Sequence, residues 1–358
     1  MKNNISKIEQ LEQYILFTPQ EKKKIKKVIK SHPMLINQYY MDLINWNDLD
    51  DPIRKMIIPS SEENRFEGSF DTSGEQENTK LRGLQHKYSN TVLILTTNSC
   101  MAYCRHCFRK RLVGIVADEI VKDWKLVVKY ICDHKEITNV LLSGGDPLML
   151  ANDRIAGILQ KFSNIQHLKF IRIGTRIPVV CPDRIANDDE LINIFRKYSC
   201  EKKRLYIVTQ FNHPREITSS SIKAIKKLNN AHIIVNNQTV LLKGVNDNPV
   251  VMAELQNKLT EIGVVPYYVF QCRPVKKLKN IFQVSLYKAF NIIEETRAML
   301  DGFSKRFRFV MSHKTGKIEI IGRKNDNLYF KYHQAKDELL ANKIFHKKLN
   351  KSDCWLDL

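Results

Sequence analysis

The chain has 358 residues, 43% of them hydrophobic, which is enough for one large domain with appendages or two ordinary ones around a sizeable core. Its formal net charge of +20 comes from lysines spread along nearly the whole length, densest at Lys22, Lys23, Lys24, Lys26, Lys27 and Lys30 and again at Lys343, Lys347 and Lys348; so diffuse a charge reads as solvated helix faces rather than a nucleic-acid site. No run approaches the roughly 20 apolar residues that span a bilayer, and MKNNISKIEQLEQYILF lacks the apolar stretch of a signal peptide, so a cytosolic protein with no membrane partner is expected.

In chain order, residues 1–83 read as a polar, mainly helical segment with a loop over 60–79, rich in Ser, Glu, Asn and Gly. From residue 84 onward short β-branched runs alternate with helix-period segments. Strands are expected at 92–96, 139–142, 168–173, 205–210, 233–239 and 266–271. Helices are expected at 119–134, with Ile120, Trp124, Val127, Val128 and Ile131 on one stripe, and at 153–162, 189–198, 219–230 and 250–262. Each parallel return needs a crossover, so six βα units call for a parallel sheet. Six are too few for a full eight-stranded barrel. The expected fold is therefore α/β, a partial (βα)6 barrel over 84–303, followed by a C-terminal extension, 304–358, with a strand at 307–312 and a final polar helix.

The chemistry begins where the first of these strands ends. Straight after TVLILTT, the run NSCMAYCRHCFRKR carries Cys100, Cys104 and Cys107 in a C-x3-C-x2-C spacing. Iron–sulfur clusters are held by thiolates at short spacings, and a cubane normally takes four. Three close ligands leave one iron open to a small molecule. Structural zinc would need a fourth ligand, and His106 sits too near two of the cysteines to serve easily. Cys132, Cys181, Cys200, Cys272 and Cys354 are scattered, as reduced thiols are. One strand later LLSGGDPL brings Gly144, Gly145 and Asp146 to a strand end, where glycine lets backbone approach a ligand closely.

This arrangement resembles the radical S-adenosylmethionine (SAM) superfamily, and the resemblance narrows. The runs CRHCFRKR, LLSGGDPL, IRIGTRIPV, TQFNHPREIT, NNQTVLLKGVND and PYYVFQC occur in the order and spacing of the lysine 2,3-aminomutase family, over residues 84–272. The resemblance implies a partial barrel, a [4Fe-4S] cluster on Cys100, Cys104 and Cys107, and SAM on the open iron, cleaved to a 5′-deoxyadenosyl radical. Gly144, Gly145 and Asp146 would contact SAM. The family adds pyridoxal phosphate (PLP), which holds a substrate's amino group as an imine while it migrates to the neighbouring carbon. By position Arg109 would clamp the substrate carboxylate, its fork of donors matching that group. Arg176, His213 and Gln238, just past or near strand ends, could reach SAM or the cofactor, or could be structural caps.

Several positions depart from the family. In place of a glycine-rich PLP loop the chain has FRFVMSHKTGKIEI, with Lys317 as the first candidate for the PLP lysine and Lys314 as the second. Where relatives carry phosphate-binding arginines, LQHKYSNT supplies Lys87 and Thr91. Two aspartates that in lysine-specific members pair with the distal ammonium are replaced by Arg273 and Ser312, which disfavours lysine and suits a distal carboxylate as in glutamate. The C-terminal cysteine cluster of the family is absent, and YFKYHQAKD, with His333 and Gln334, has no assigned role. Three readings stay open: a PLP-dependent aminomutase acting on a small amino acid other than lysine, a radical SAM enzyme without PLP acting on another substrate or a peptide, and a basic iron–sulfur protein that binds nucleic acid. The first two imply an electron donor such as a flavodoxin or ferredoxin, and an oligomer is open.

Overall fold

The computed structural model describes residues 4–64, 67–115 and 118–358, and its strands lie side by side in chain order as one twelve-stranded sheet. These are β1 (Thr79–Leu81), β2 (Leu84–Tyr88), β3 (Thr91–Thr97), β4 (Asn139–Gly144), β5 (Phe170–Gly174), β6 (Arg204–Thr209), β7 (Ile234–Leu241), β8 (Val265–Gln271), β9 (Arg308–His313), β10 (Gly316–Lys324), β11 (Asn327–Ala335) and β12 (Ile344–Lys348). From β3 to β9 neighbouring strands are parallel. Antiparallel pairs flank them, β1–β2–β3 at one end and β9–β10–β11–β12 at the other.

Crossover helices return the chain between the parallel strands, and their starts are set by side chains that accept otherwise orphaned backbone N–H groups. Asp123 caps helix Trp124–Asp133, Asp188 caps Asp189–Tyr198, Thr218 caps Ser219–Asn230, and Asn248 caps Pro249–Glu261. Two of these helices have the expected ends, 189–198 and 219–230. Their apolar stripes, including Val127, Ile131, Leu191, Ile192 and Phe195, pack on the outer face of the strands, where Val140, Leu142, Ile171, Ile173, Leu205 and Ile207 are buried. Successive strand residues point to opposite sides. Leu141, Ser143, Arg172, Tyr206, Asn236 and Gln238 therefore turn to the barrel lumen, and each is only partly buried. The alternation keeps the lumen polar and open to a ligand.

The expected partial barrel stands, with one more strand than anticipated. The strand expected in the C-terminal extension is β9, which pairs in parallel with β8 and so extends the barrel past residue 303. The expected final polar helix is not formed: β11, β12 and a short 3-10 turn at Glu338–Leu340 occupy that stretch. The reason is a period of two, because Leu328, Phe330 and Tyr332 are buried while Tyr329, Lys331 and His333 alternate with them. Nor is the first segment only polar, since Ile5, Leu11, Met34, Ile36, Tyr40, Ile53 and Met56 join the same core as the barrel. That core runs unbroken across the 83/84 and 303/304 boundaries. Of the expected loop at 60–79, residues 65 and 66 lie outside the described residues; the rest holds a 3-10 turn, Ser61–Asn64, and a short helix, Glu75–Asn78.

Candidate active site

The loop leaving β3 carries Cys100, Cys104 and Cys107 as free, partly exposed thiols. Burial pushes the Cys100 thiol well up, and Asp146 and the other two cysteines push it the same way; burial and Cys104 raise Cys107 to about 11. Three thiols crowded within electrostatic reach would lose their protons readily only with a cation bound in their place, which fits a cluster. Among the described residues no three His, Cys, Asp or Glu side chains share a site for a single metal ion, as expected where each thiolate serves a different iron. Arg176 Nη1 reaches Cys104 Sγ at 2.7 Å, and the same guanidinium holds Tyr40 Oη at 2.9 Å and pairs with buried Glu216. The cluster loop is thereby fixed to β5 and to the N-terminal segment.

Gly144 and Gly145 end β4 beneath that loop. A Cβ on Gly144 would stand 2.2 Å from the Thr97 carbonyl oxygen, and one on Gly145 2.2 Å from that of Ser99, so the close approach they allow is to the cluster loop's own backbone. Gly144 also has φ of +126°, which side chains rarely adopt. Asp146 accepts from Thr175 Oγ1 at 2.7 Å and from the Arg176 N–H at 2.7 Å, joining the ends of β4 and β5. His213 Nδ1 accepts the Arg215 N–H and caps the turn Pro214–Glu216, a structural role. Gln238 differs: its side-chain amide makes no hydrogen bond among the described residues, and it is only partly buried.

At the far side of the lumen Arg273, just after β8, donates to Ser312 Oγ on β9 at 2.8 Å and to Ser73 Oγ at 2.9 Å. The two positions that differ from lysine-specific relatives thus touch each other. Phe108 packs under both Arg273 and Arg109, 4.2 Å and 4.6 Å from its ring centre. Arg109 donates to Ser143 Oγ at 2.8 Å and is paired at 3.0 Å with Glu75, which also pairs with Arg111 at 2.7 Å. Glu75 was not expected from the sequence. Nothing in its local pattern signals it, because its partners lie more than thirty residues on.

Lys317, at the start of β10, keeps part of its surface open to the lumen but lies deep within it. Burial, Arg172, Lys87 and Arg273 all push its amine down, to about 7. Lys87 is lowered to about 7 by burial and by Arg273 and Lys336, and its ammonium is tied to the carbonyls of Ser73 and His313. Among the described residues none of Lys87, Arg172, Arg273 and Lys317 has a carboxylate at ion-pair distance. Lys314, the other candidate, lies exposed on the turn. Arg172 is a second residue the sequence reading missed; a cation alternating with isoleucines in IRIG was its signal. Its Nε donates to Asn139 Oδ1 at 2.8 Å, and Asn139 Nδ2 donates to Thr91 Oγ1 at 2.9 Å, so it stands next to the position where an upstream arginine was missing.

Comparisons with known proteins bear on this arrangement. The Radical SAM superfamily pattern matches residues 94–255. The L-lysine 2,3-aminomutase of Clostridium subterminale is 39% identical over 306 residues, 85% of this chain and 72% of that protein. The chain belongs to the lysine 2,3-aminomutase family. Another member, the L-lysine 2,3-aminomutase of Methanococcus maripaludis, is 40% identical over 85% of this chain and 70% of its own length. The glutamate 2,3-aminomutase of Clostridioides difficile is 36% identical over 88% of this chain and 74% of its own. Among solved structures, the radical SAM coproporphyrinogen III oxidase HemN of Escherichia coli matches 74% of this chain and 73% of its own at a TM-score of 0.37 and 12% identity, too loosely to argue from. As a radical SAM enzyme of an aminomutase family, the protein uses a [4Fe-4S] cluster and SAM, and the three thiols and the glycine-lined end of β4 fit them. Among the described residues no helix is long and apolar enough to cross a membrane.

Proposed function

We propose that the protein is a PLP-dependent 2,3-aminomutase whose substrate is a dicarboxylic amino acid, glutamate first among them, with Lys317 as the PLP lysine. The observation that carries this reading is the placement of Lys317 at the start of β10, its Nζ 4.3 Å from the Tyr268 ring centre, among Arg172, Lys87 and Arg273, whose charges together with burial push its amine down. A lysine must be unprotonated to attack a carbonyl, and lowering its pKa toward neutrality raises the unprotonated fraction at physiological pH. Bound together, the cluster, SAM and PLP supply a carbon radical and a carrier for the migrating amino group.

The chain's own residues then divide the work. Cys100, Cys104 and Cys107 bind the cluster, while Gly144, Gly145, Asp146 and Arg176 hold the SAM side of the lumen in shape. Gln238 offers an unengaged amide to a bound ligand. Arg172 and Lys87 offer positive charge to the phosphate, so that the cation missing at Thr91 comes from β5 instead. Arg109 receives the substrate's α-carboxylate by exchanging Glu75 for it. Arg273, oriented by Ser312 and Ser73, receives the distal carboxylate. A lysine ammonium in that place would face a guanidinium with no carboxylate at ion-pair distance among the described residues, a cost of about 2–5 kcal/mol. The C. difficile relative, named for glutamate, supports the same substrate class.

The test is an anaerobic assay of the reconstituted protein with SAM, PLP and dithionite, offering L-glutamate and L-lysine separately and scoring β-amino acids by chiral chromatography and mass. β-Glutamate without β-lysine is expected, and none from Cys104→Ala. β-Lysine in excess would overturn the substrate assignment.

A further inference from the structure

Strands β10 and β11 pair Lys317 with Gln334 and Ile318 with Tyr332, which leaves His333 as an extra residue with no partner of its own. In a regular strand His333 and Gln334 would point to opposite faces, and only one could reach the lumen. A bulge turns both the same way, and such bulges recur beside active sites, where they re-aim a side chain. Both side chains here engage groups around Lys317. Gln334 Oε1 accepts from Lys317 Nζ at 3.1 Å, and His333 Nε2 lies 2.7 Å from Tyr268 Oη. The Tyr268 ring is what Lys317 rests on, with Nζ 4.3 Å from the ring centre.

We infer that the β11 bulge is a positioning device for Lys317, in which Gln334 orients the amino nitrogen and His333 pins the Tyr268 ring beneath it. This rests on the reading of Lys317 as the reactive amine. The groups facing Lys317 are Arg172 from β5, Lys87 from β2, Arg273 after β8, Tyr268 and Phe270 from β8, and His333 and Gln334 from β11. The charged neighbours are all cations, so repulsion alone would drive the side chain away from them, and a neutral acceptor and an aromatic face hold it in place without restoring a counter-charge that would keep it protonated. Burial, with Lys317 and Arg308 adding to it, lowers His333 to about 4, so its imidazole is neutral at pH 7. Burial raises the Tyr268 phenol, so Tyr268 keeps its proton and donates it to His333. Both partners thus have the protonation states the contact needs. Tyr268 is 1% exposed, and with His333 removed its hydroxyl would lose the partner that ties it to β11 and be left to the neighbouring Tyr267 side chain. His333 and Gln334 are positioning residues, since neither needs to touch the reacting atoms.

The test uses the full chain without added cofactor. Formaldehyde and cyanoborohydride methylate lysines from about pH 5 to about pH 10, and peptide mass gives the rate at Lys317 against exposed Lys314 in the same tube. The native protein is expected to show a Lys317 midpoint near pH 7. Gln334→Glu, nearly isosteric, should raise that midpoint by about one unit and cut labelling at pH 7 about tenfold, because a carboxylate would then face the ammonium. His333→Phe should slow Lys317 labelling at pH 7 about tenfold, and His333→Gln, which keeps an acceptor for Tyr268, should restore it to within about threefold of native. An unmoved Gln334→Glu midpoint, or His333→Phe and His333→Gln that both label like native, would overturn the inference. Should His333→Phe not fold, the Gln334→Glu midpoint decides by itself. A Lys317 that behaves as expected here yet takes no PLP would overturn the proposed function and leave the positioning device standing.

Discussion

Two buried groups of charge, both reached from the cluster loop, are built to opposite rules. In the first, Arg105 and Lys110 close on Glu63, at 2.5 Å and 2.6 Å, with all three side chains 1% exposed. Burial alone would raise the Glu63 carboxyl, and the two cations overturn this and hold it down at about 2. In the second, Lys87, Arg172, Arg273 and Lys317 share the lumen, and among the described residues no carboxylate pairs with any of them. One group carries its own counter-ion and fastens the loop to the N-terminal segment. The other leaves positive charge for a ligand to neutralise. The two groups thus differ in whether the chain supplies a carboxylate at ion-pair distance from its buried cations.

The sharpest way to break that contrast is to remove one member from each group. Glu63→Gln should cost about 3–5 kcal/mol of stability in urea unfolding, because Arg105 and Lys110 stay buried without compensation. Arg273→Gln should leave stability within about 1 kcal/mol of native, or raise it, since it relieves like-charge crowding. Equal losses would mean that both groups are structural.

The next test acts on the lumen alone. Arg273→Asp combined with Ser312→Asp should cut kcat/KM for glutamate by about a hundredfold or more and bring in β-lysine formation, as a carboxylate pair replaces the cation. Loss of glutamate turnover without any gain on lysine would confine Arg273 to packing over Phe108.

A smaller effect sharpens the closed group. His32 is 1% exposed beside Arg105, both ring nitrogens lack hydrogen-bond partners among the described residues, and burial with the charges of Arg105 and Lys110 lowers it to about 2. A histidine whose folded pKa lies below its unfolded one contributes stability above the unfolded value, near 6.5, that is lost as pH falls below it. Glu63 acts in the same direction lower down, since a carboxyl held at about 2 loses its contribution as pH falls below 4.5. His32→Leu should raise stability by about 1 kcal/mol at pH 7 and flatten the decline between about pH 6 and about pH 5, where Glu63 is still ionised. An unchanged slope in that window would show that His32 is not the group that titrates.

Much of this was legible in the chain. The crossover helices 189–198 and 219–230 were readable to the residue because their apolar period and their capping residues agree. The three cysteines stand out in the sequence because they sit within one loop, and Arg273 and Ser312 because each lies at or just past a recognisable strand end. What escaped depended on distance or on register. Glu75 meets Arg109 only in the folded chain, because the two lie more than thirty residues apart in sequence. The end of the chain reads as a polar helix, whereas the pairing of β11 with β10 and β12 decides its state. The bulge at His333 is a property of two strands in register, and one strand's sequence does not contain it.

The lumen's cationic side chains and the lowered Lys317 amine are expected to receive an anionic aldehyde cofactor. The anaerobically reconstituted protein with added PLP should be trapped with borohydride and mapped by peptide mass. A phosphopyridoxyl group on Lys317, absent from Lys317→Ala and displaced by neither salt nor dialysis before reduction, is the result predicted. A preparation that cleaves SAM but carries the tag on no lysine, or only on exposed Lys314, would contradict it.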